Sequence, residues 1–195
     1  MLSLSTYPKG DLVKILLLNG NPDPERRDWE DYLDSFVTEI QHTGGTVIRQ
    51  DLRGMDIRFC TGCWSCWYTT PGLCAFKDAM TGLCPQILAA DLTLWASPLV
   101  LGNVSALTKK TQDRFIPLLH PYIELDRGEC HHRRRYPKDI DMGLIVEAGV
   151  EDTEEDLAIV RQQHERLARN GRGRLRLFAT TATPAQEVAH EALSA

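Results

Sequence analysis

Four of the six cysteines fall in one short stretch, Cys60-Thr61-Gly62-Cys63-Trp64-Ser65-Cys66-Trp67-Tyr68-Thr69-Thr70-Pro71-Gly72-Leu73-Cys74. The spacing C-x2-C-x2-C-x7-C lets Cys60, Cys63, Cys66 and Cys74 fold back toward a common centre, the donor set of an iron–sulfur cluster or a tetrahedral zinc. Pro71-Gly72 shows that the stretch is not a continuous helix. Cysteine is also a small apolar residue, and Trp64, Trp67 and Tyr68 suit an aromatic loop packed on a core. Both readings, ligand or redox chemistry and plain burial, stand on the residues alone. Cys130-His131-His132 brings three further donors together, but adjacent residues do not readily converge on one ion, and the segment reads as a polar loop. Cys84 lies in a helical stretch and reads as core. No Ser-His-Asp order, Walker lysine or His-Glu-x-x-His helix is present, which leaves hydrolase and phosphoryl-transfer chemistry without support.

A chain of 195 residues, 43% hydrophobic and 25% charged, is expected to form a single globular domain over residues 1–195. Its net charge of −5 argues against nucleic acid or an anionic membrane surface as partner. Met1 to Asp11 lacks the pattern of a secretory signal, and no apolar run reaches membrane-spanning length, so a cytoplasmic protein is expected. In that reducing compartment a disulfide framework is not anticipated.

The elements that must position the cysteines follow a regular alternation. Val13 to Asn19 is a near-continuous apolar run ending at Gly20, as in a strand buried on both faces. Trp29, Tyr32, Leu33, Phe36, Val37 and Ile40 recur at helical spacing from near Asp28 until Gly44-Gly45. Thr46 to Gln50 reads as a second strand, Lys77 to Ala90 as a helix containing Pro85, and Asp91 to Pro98 as a third strand ended by Pro98. Val104 to Leu119 reads as one partly exposed helix and Asp126 to Lys138 as an exposed loop. Ile140 to Glu147 and Arg174 to Thr180 read as strands four and five, with helices over Glu151 to Arg169 and Ala185 to Ala195. The expected fold class is α/β, a flavodoxin-like three-layer sandwich with a five-stranded parallel sheet of order 2-1-3-4-5. Ligands of such sheets bind at the carboxyl ends of the strands, here beside the loops Gly20 to Asp28, Ser97 to Val104 and Glu147 to Asp152.

With those residues in place, the chain resembles the flavodoxin-fold NAD(P)H-dependent FMN reductases, especially the branch containing iron–sulfur flavoproteins. The resemblance rests on Cys60 to Cys74 with Lys77-Asp78-Ala79-Met80, and on Ser97-Pro98-Leu99-Val100-Leu101-Gly102-Asn103-Val104-Ser105 followed by Leu107-Thr108-Lys109 and Asp113-Arg114-Phe115-Ile116-Pro117. It implies an oxidoreductase that binds FMN, takes hydride from NADH or NADPH and passes electrons to a quinone, a flavin or another acceptor, including a redox protein. It implies Pro98, Leu99, Val100, Leu101, Gly102 and Asn103 along the flavin ring, where a tight turn from Ser97 to Gly102 would expose backbone amides. It also implies a [4Fe–4S] cluster on Cys60, Cys63, Cys66 and Cys74 as an alternative role, that of an electron carrier, and a homodimer or dimer-based oligomer. Arg133, Arg134 and Arg135 would lie near a pyridine-nucleotide phosphate. The phosphate loop departs from the family pattern. Gly20-Asn21-Pro22-Asp23-Pro24-Glu25-Arg26-Arg27-Asp28 carries two prolines without amide donors and two early acids, which leaves Asn21, Arg26 and Arg27 as its candidate contacts. A flavodoxin-like binding protein that has lost FMN is the third reading.

Overall fold

A computed structural model describes residues 13–194. The expectation about Met1 to Asp11 lies outside them. β1 (Lys14–Asn19) is the centre of the fold, because Ile15 to Leu18 are each at most 1% exposed and must be covered from both sides. It pairs in parallel with β2 (Thr46–Asp51) and β3 (Leu92–Val100), and β3 pairs in parallel with β7 (Ile140–Glu147), which pairs with β8 (Arg172–Thr180). The parallel order β2-β1-β3-β7-β8 is the flavodoxin-like order expected.

Helices cover both faces. α1 (Arg27–His42) and α6 (Ala185–Ser194) press Trp29, Leu33, Phe36, Val188 and Ala192 onto one side of the sheet. On the other side α3 (Met80–Ala89) and α5 (Glu154–Asn170) supply Leu83, Ile87, Val160 and Ala168. α5 starts at a capping box in which the Thr153 hydroxyl accepts from the Asp156 amide and the Asp156 carboxylate accepts in return. Pro85 lies inside α3 without ending it. α2 (Ser65–Tyr68) is a single turn within the cysteine segment. Among the described residues no helix is long and apolar enough to cross a membrane.

Three sequence expectations are corrected. β3 does not stop at Pro98. The Ala96 carbonyl accepts from the Gly20 amide, so by strand alternation Pro98 also faces the β1 side, beyond the point where β1 ends and a donor is needed. The strand continues to Val100 and turns through Leu101 (φ 52°) and Gly102 (φ 69°) into β4 (Asn103–Val104). The expected tight turn over Ser97 to Gly102 is therefore a strand end plus a two-residue hairpin turn. The single helix over Val104 to Leu119 is instead α4 (Ala106–Gln112) followed by a 3-10 segment, Asp113–Leu118, containing Pro117. The exposed loop expected over Asp126 to Lys138 instead contains β6 (Glu129–Arg134), which forms an antiparallel hairpin with β5 (Leu119–Asp126), turning at Arg127-Gly128 with φ positive at both residues.

Gly20 fixes how the loop after β1 meets α4. A Cβ there would come 1.9 Å from Thr108 Oγ1 and 3.2 Å from Ser105 Oγ. Ser105 caps α4 by accepting the Thr108 amide and donates its hydroxyl to the Gly20 carbonyl at 2.6 Å. Gly20→Ala should therefore cost about 1–3 kcal/mol in urea denaturation, the range for overpacking a tight contact; an unchanged midpoint would show that the contact is looser than described.

Candidate functional site

Two left-handed residues shape the cysteine segment. Gly62 (φ 64°) and Trp64 (φ 59°) reverse the chain on either side of Cys63, and α2 then places Cys66 one turn further on. The Thr69 and Thr70 amides donate to the Ser65 carbonyl and the Gly72 amide to that of Cys66, folding the chain back toward Cys74. Cys60, Cys63, Cys66 and Cys74 consequently line one pocket, with Trp64, Phe76, Arg114, Ile116 and Pro117 among its walls. Cys60 and Cys63 lie at its exposed side, Cys74 is half-buried and Cys66 is 7% exposed. The amide and hydroxyl of Ser65 pull the Cys63 thiol below its ordinary pKa. Burial pushes the Cys66 thiol up, and the neighbouring Cys74, Cys60 and Cys63 add to that direction.

Among the described residues no group of three or more His, Cys, Asp or Glu side chains is arranged to hold a single metal ion. Tetrahedral zinc would need four sulfurs at about 2.3 Å from one atom. A [4Fe–4S] cluster takes one thiolate at each of four irons, which lets the sulfurs stand apart around a larger body. Four cysteines lining one mostly apolar pocket match that arrangement in residue type and number.

Beneath the pocket is an ion pair that sequence reading did not assign a role. The side chains of Arg114 and Asp78 are each 1% exposed and paired at 2.7 Å. Arg114 Nη1 also donates to the Arg58 carbonyl at 2.7 Å, and Nη2 donates to Asp78 at 3.0 Å and to Cys74 Sγ at 3.2 Å. Among the described residues its buried Nε has no hydrogen-bond partner, and its guanidinium lies over the Phe76 ring, 5.4 Å from the centroid. Burial alone would raise the Asp78 carboxyl, but the Arg114 and backbone hydrogen bonds outweigh it and hold it below its ordinary value. The sequence signal was available: an Arg in the segment whose neighbours Phe115 and Leu118 are core, and an Asp just after the last cysteine of the run.

The crevice at the strand ends brings together the other expected residues. Asn21 is 2% exposed; its amide donates to Asn19 Oδ1 at 3.1 Å, and its side chain bonds both backbone groups of Asp23. The Glu25 amide donates to the Asp23 carboxylate at 2.9 Å, and the Arg26 and Arg27 amides to the Asp23 and Glu25 carbonyls. The Asp28 carboxylate is held at a pKa of about 2 by the Arg26 side chain and by the amides of Trp29 and Asp28 itself. Arg26 also reaches across to the end of β7, donating to both oxygens of Glu147 at 2.7 and 2.9 Å. Pro22 and Pro24 lack amides, and those of Gly20, Asn21, Asp23, Glu25, Arg26 and Arg27 are bonded to the loop itself, to Asn19 or to Ala96. The residues present do not fit the phosphate of FMN. Arg26 is engaged with the protein's own carboxylates, and Arg27 is exposed. On the ring side Pro98 is half-buried and Leu99 buried, whereas Val100 and Leu101 are 53% and 101% exposed, an apolar edge beside the crevice. Asn103 turns its Oδ1 to the Val104 amide.

The Cys130 to Arg135 segment is not a ligand cluster. Strand alternation sends His131 and His132 to opposite faces. His131 is buried against Asn170 and Glu129, His132 faces Trp67 at 5.1 Å between ring centroids, and Cys130 is exposed. Arg133 pairs with Glu124, Arg134 with Asp139, and Arg135 donates to the Leu119 carbonyl.

Comparison with known proteins agrees with the fold. Residues 13–117 match the family described as having a flavodoxin-like fold. Two iron–sulfur flavoproteins of Archaeoglobus fulgidus are similar to the chain. One is 32% identical over 88 residues, 45% of this chain and 39% of that protein; the other is 28% identical over 102 residues, 52% and 48%. The chain thus spans less than half the length of these curated relatives. Among solved structures, the NAD(P)H:quinone oxidoreductase from Methanothermobacter marburgensis superposes with a TM-score of 0.61 at 15% identity, covering 94% of this chain and 96% of that one. An FMN-dependent NADH-azoreductase from Bacillus anthracis, in complex with FMN, gives 0.54 at 12% identity, with 94% and 96% covered. At such identities these two structures speak to the fold alone. The matched profile covers more than half of the residues and its fold is the one the strand order builds: the chain belongs to the flavodoxin-like fold family.

Proposed function

We propose that the chain is an oxidoreductase of the iron–sulfur flavoprotein kind, in which Cys60, Cys63, Cys66 and Cys74 hold a [4Fe–4S] cluster. The observation that carries this reading is the single pocket lined by all four cysteines. The cluster, when bound, supplies one-electron exchange. The chain's own residues do the rest. Ser65 favours the thiolate of Cys63, and Arg114 brings a hydrogen bond and positive charge to Cys74. Trp64, Phe76, Ile116 and Pro117 exclude water on the inner side, and the exposed Cys60 and Cys63 leave the outer side open to a small-molecule acceptor or redox protein.

A second reading is an NAD(P)H-dependent flavin oxidoreductase passing electrons to a quinone, flavin or other acceptor. Family membership and the apolar edge at Val100 and Leu101 support it. A homodimer is part of the proposal. The segment after Val104 turns Phe115 and Leu118 inward, so the apolar surface for pairing comes instead from Trp64, Tyr68 and Leu73 of the cysteine segment and Tyr122, Ile123 and Leu125 of the β5–β6 hairpin.

Anaerobic preparations should contain about four iron and four sulfide per chain. Cys63→Ser should remove them while leaving the far-ultraviolet circular dichroism unchanged; absence of both elements from the native protein refutes the cluster. Arg114→Met should cost about 3–5 kcal/mol, since it strands a buried Asp78, and the double variant with Asp78→Asn should recover part of the loss; additive losses in denaturant would contradict the pairing. Because the folded Asp78 value is depressed, its contribution is complete above the ordinary carboxylate pKa and is lost as the pH falls through the folded value. Stability measured against pH should therefore fall less steeply on the acid side in the double variant than in the native chain.

A further inference from the structure

The loop after β1 is where sheets of this order receive the anionic end of a nucleotide, since the first amides of the following helix point there. In this chain the place is taken. Arg26 binds the Asp28 carboxylate through Nε and Nη2 at 3.0 and 2.8 Å, and the same Arg26 is fastened to both oxygens of Glu147 across the end of β3. We propose that Asp28 and Glu147 are built-in anions that close the phosphate place, so that the crevice takes an isoalloxazine ligand without a phosphate, riboflavin in preference to FMN.

The proposal rests on the second reading above. Its physical basis is charge and donor balance. A phosphate monoester brings about −1.5 to −2 charge near neutral pH and chiefly accepts hydrogen bonds. Seating it would displace Asp28 from its donors and leave Asp23, Glu25, Asp28 and Glu147 near the incoming anion, with Arg26 and Arg27 as the loop's cations. Carboxylates outnumber guanidiniums there, and like charges at short range oppose binding. The hydroxyls of a ribityl chain are donors as well as acceptors, and the oxygens of Asp28 and Glu147 can receive them. The exposed Val100 and Leu101 offer apolar contact to a ring, which both flavins share equally.

Fluorescence quenching of riboflavin and of FMN by the native chain tests this, alongside Asp28→Ala/Glu147→Gln, which releases Arg26. The native chain should bind riboflavin at least tenfold more tightly than FMN. The double variant should reverse that order and gain heat of binding for inorganic phosphate in calorimetry. FMN binding to the native chain as tightly as riboflavin would overturn the proposal. Should neither flavin bind the native chain, the flavin reading fails by itself; the closed phosphate place is then supported by phosphate binding gained in the variant and overturned by its absence.

Discussion

The buried pair of Arg114 and Asp78 is the contact on which the cysteine pocket depends. Asp78 follows the last cysteine of the run, and Arg114 belongs to the 3-10 segment packed on the sheet through Phe115, whose ring lies 5.4 Å from that of Trp95. A segment rich in turns, with little regular structure of its own, is thereby tied to the core at its far end by a charge pair that excludes water. Such a pair is costly to form and more costly to break, because either partner alone would be a charge left without solvent. The third ligand of the guanidinium, Cys74 Sγ, makes the anchor part of the pocket as well as its support.

The same logic of internal compensation governs the strand-end crevice, with a different outcome. At the cysteine pocket a cation is held ready beside sulfur. At the loop after β1 the cation is consumed by two carboxylates, and the Asp23 and Glu25 amides are satisfied by Asn21 and Asp23. One flavodoxin-like scaffold thus treats its two buried or crossing cations differently: Arg114 is left beside Cys74, whereas Arg26 is closed between Asp28 and Glu147.

Much of the scaffold was legible because its signals are local and repetitive. The apolar run at Ile15 to Leu18, the helical period from Trp29 to Ile40 and the β-branched and apolar strands at Leu92 and Ile140 each state their own burial. What escaped depended on partners distant in sequence. The β5–β6 hairpin is polar and reads as loop until Arg127-Gly128 is seen to turn and His131 to bury itself against Asn170 of α5. Pro98 looks like a terminator until the end of β1 shows that no hydrogen bond is missed there. The cysteine spacing suggested a ligand set, whereas the pocket that the four cysteines share is shaped by left-handed Trp64, a conformation that no propensity assigns to tryptophan. Arg26 was recognised as belonging to the crevice, but its attachment to Glu147 spans 121 residues.

The central claim is that the four thiols are gathered around a polynuclear iron site. Iron-edge X-ray absorption on protein purified without air measures it most directly. The account predicts iron with a first shell of sulfur and a second shell of iron neighbours, both lost in Cys63→Ser; iron bound by nitrogen and oxygen alone, or no iron at the edge, would contradict it.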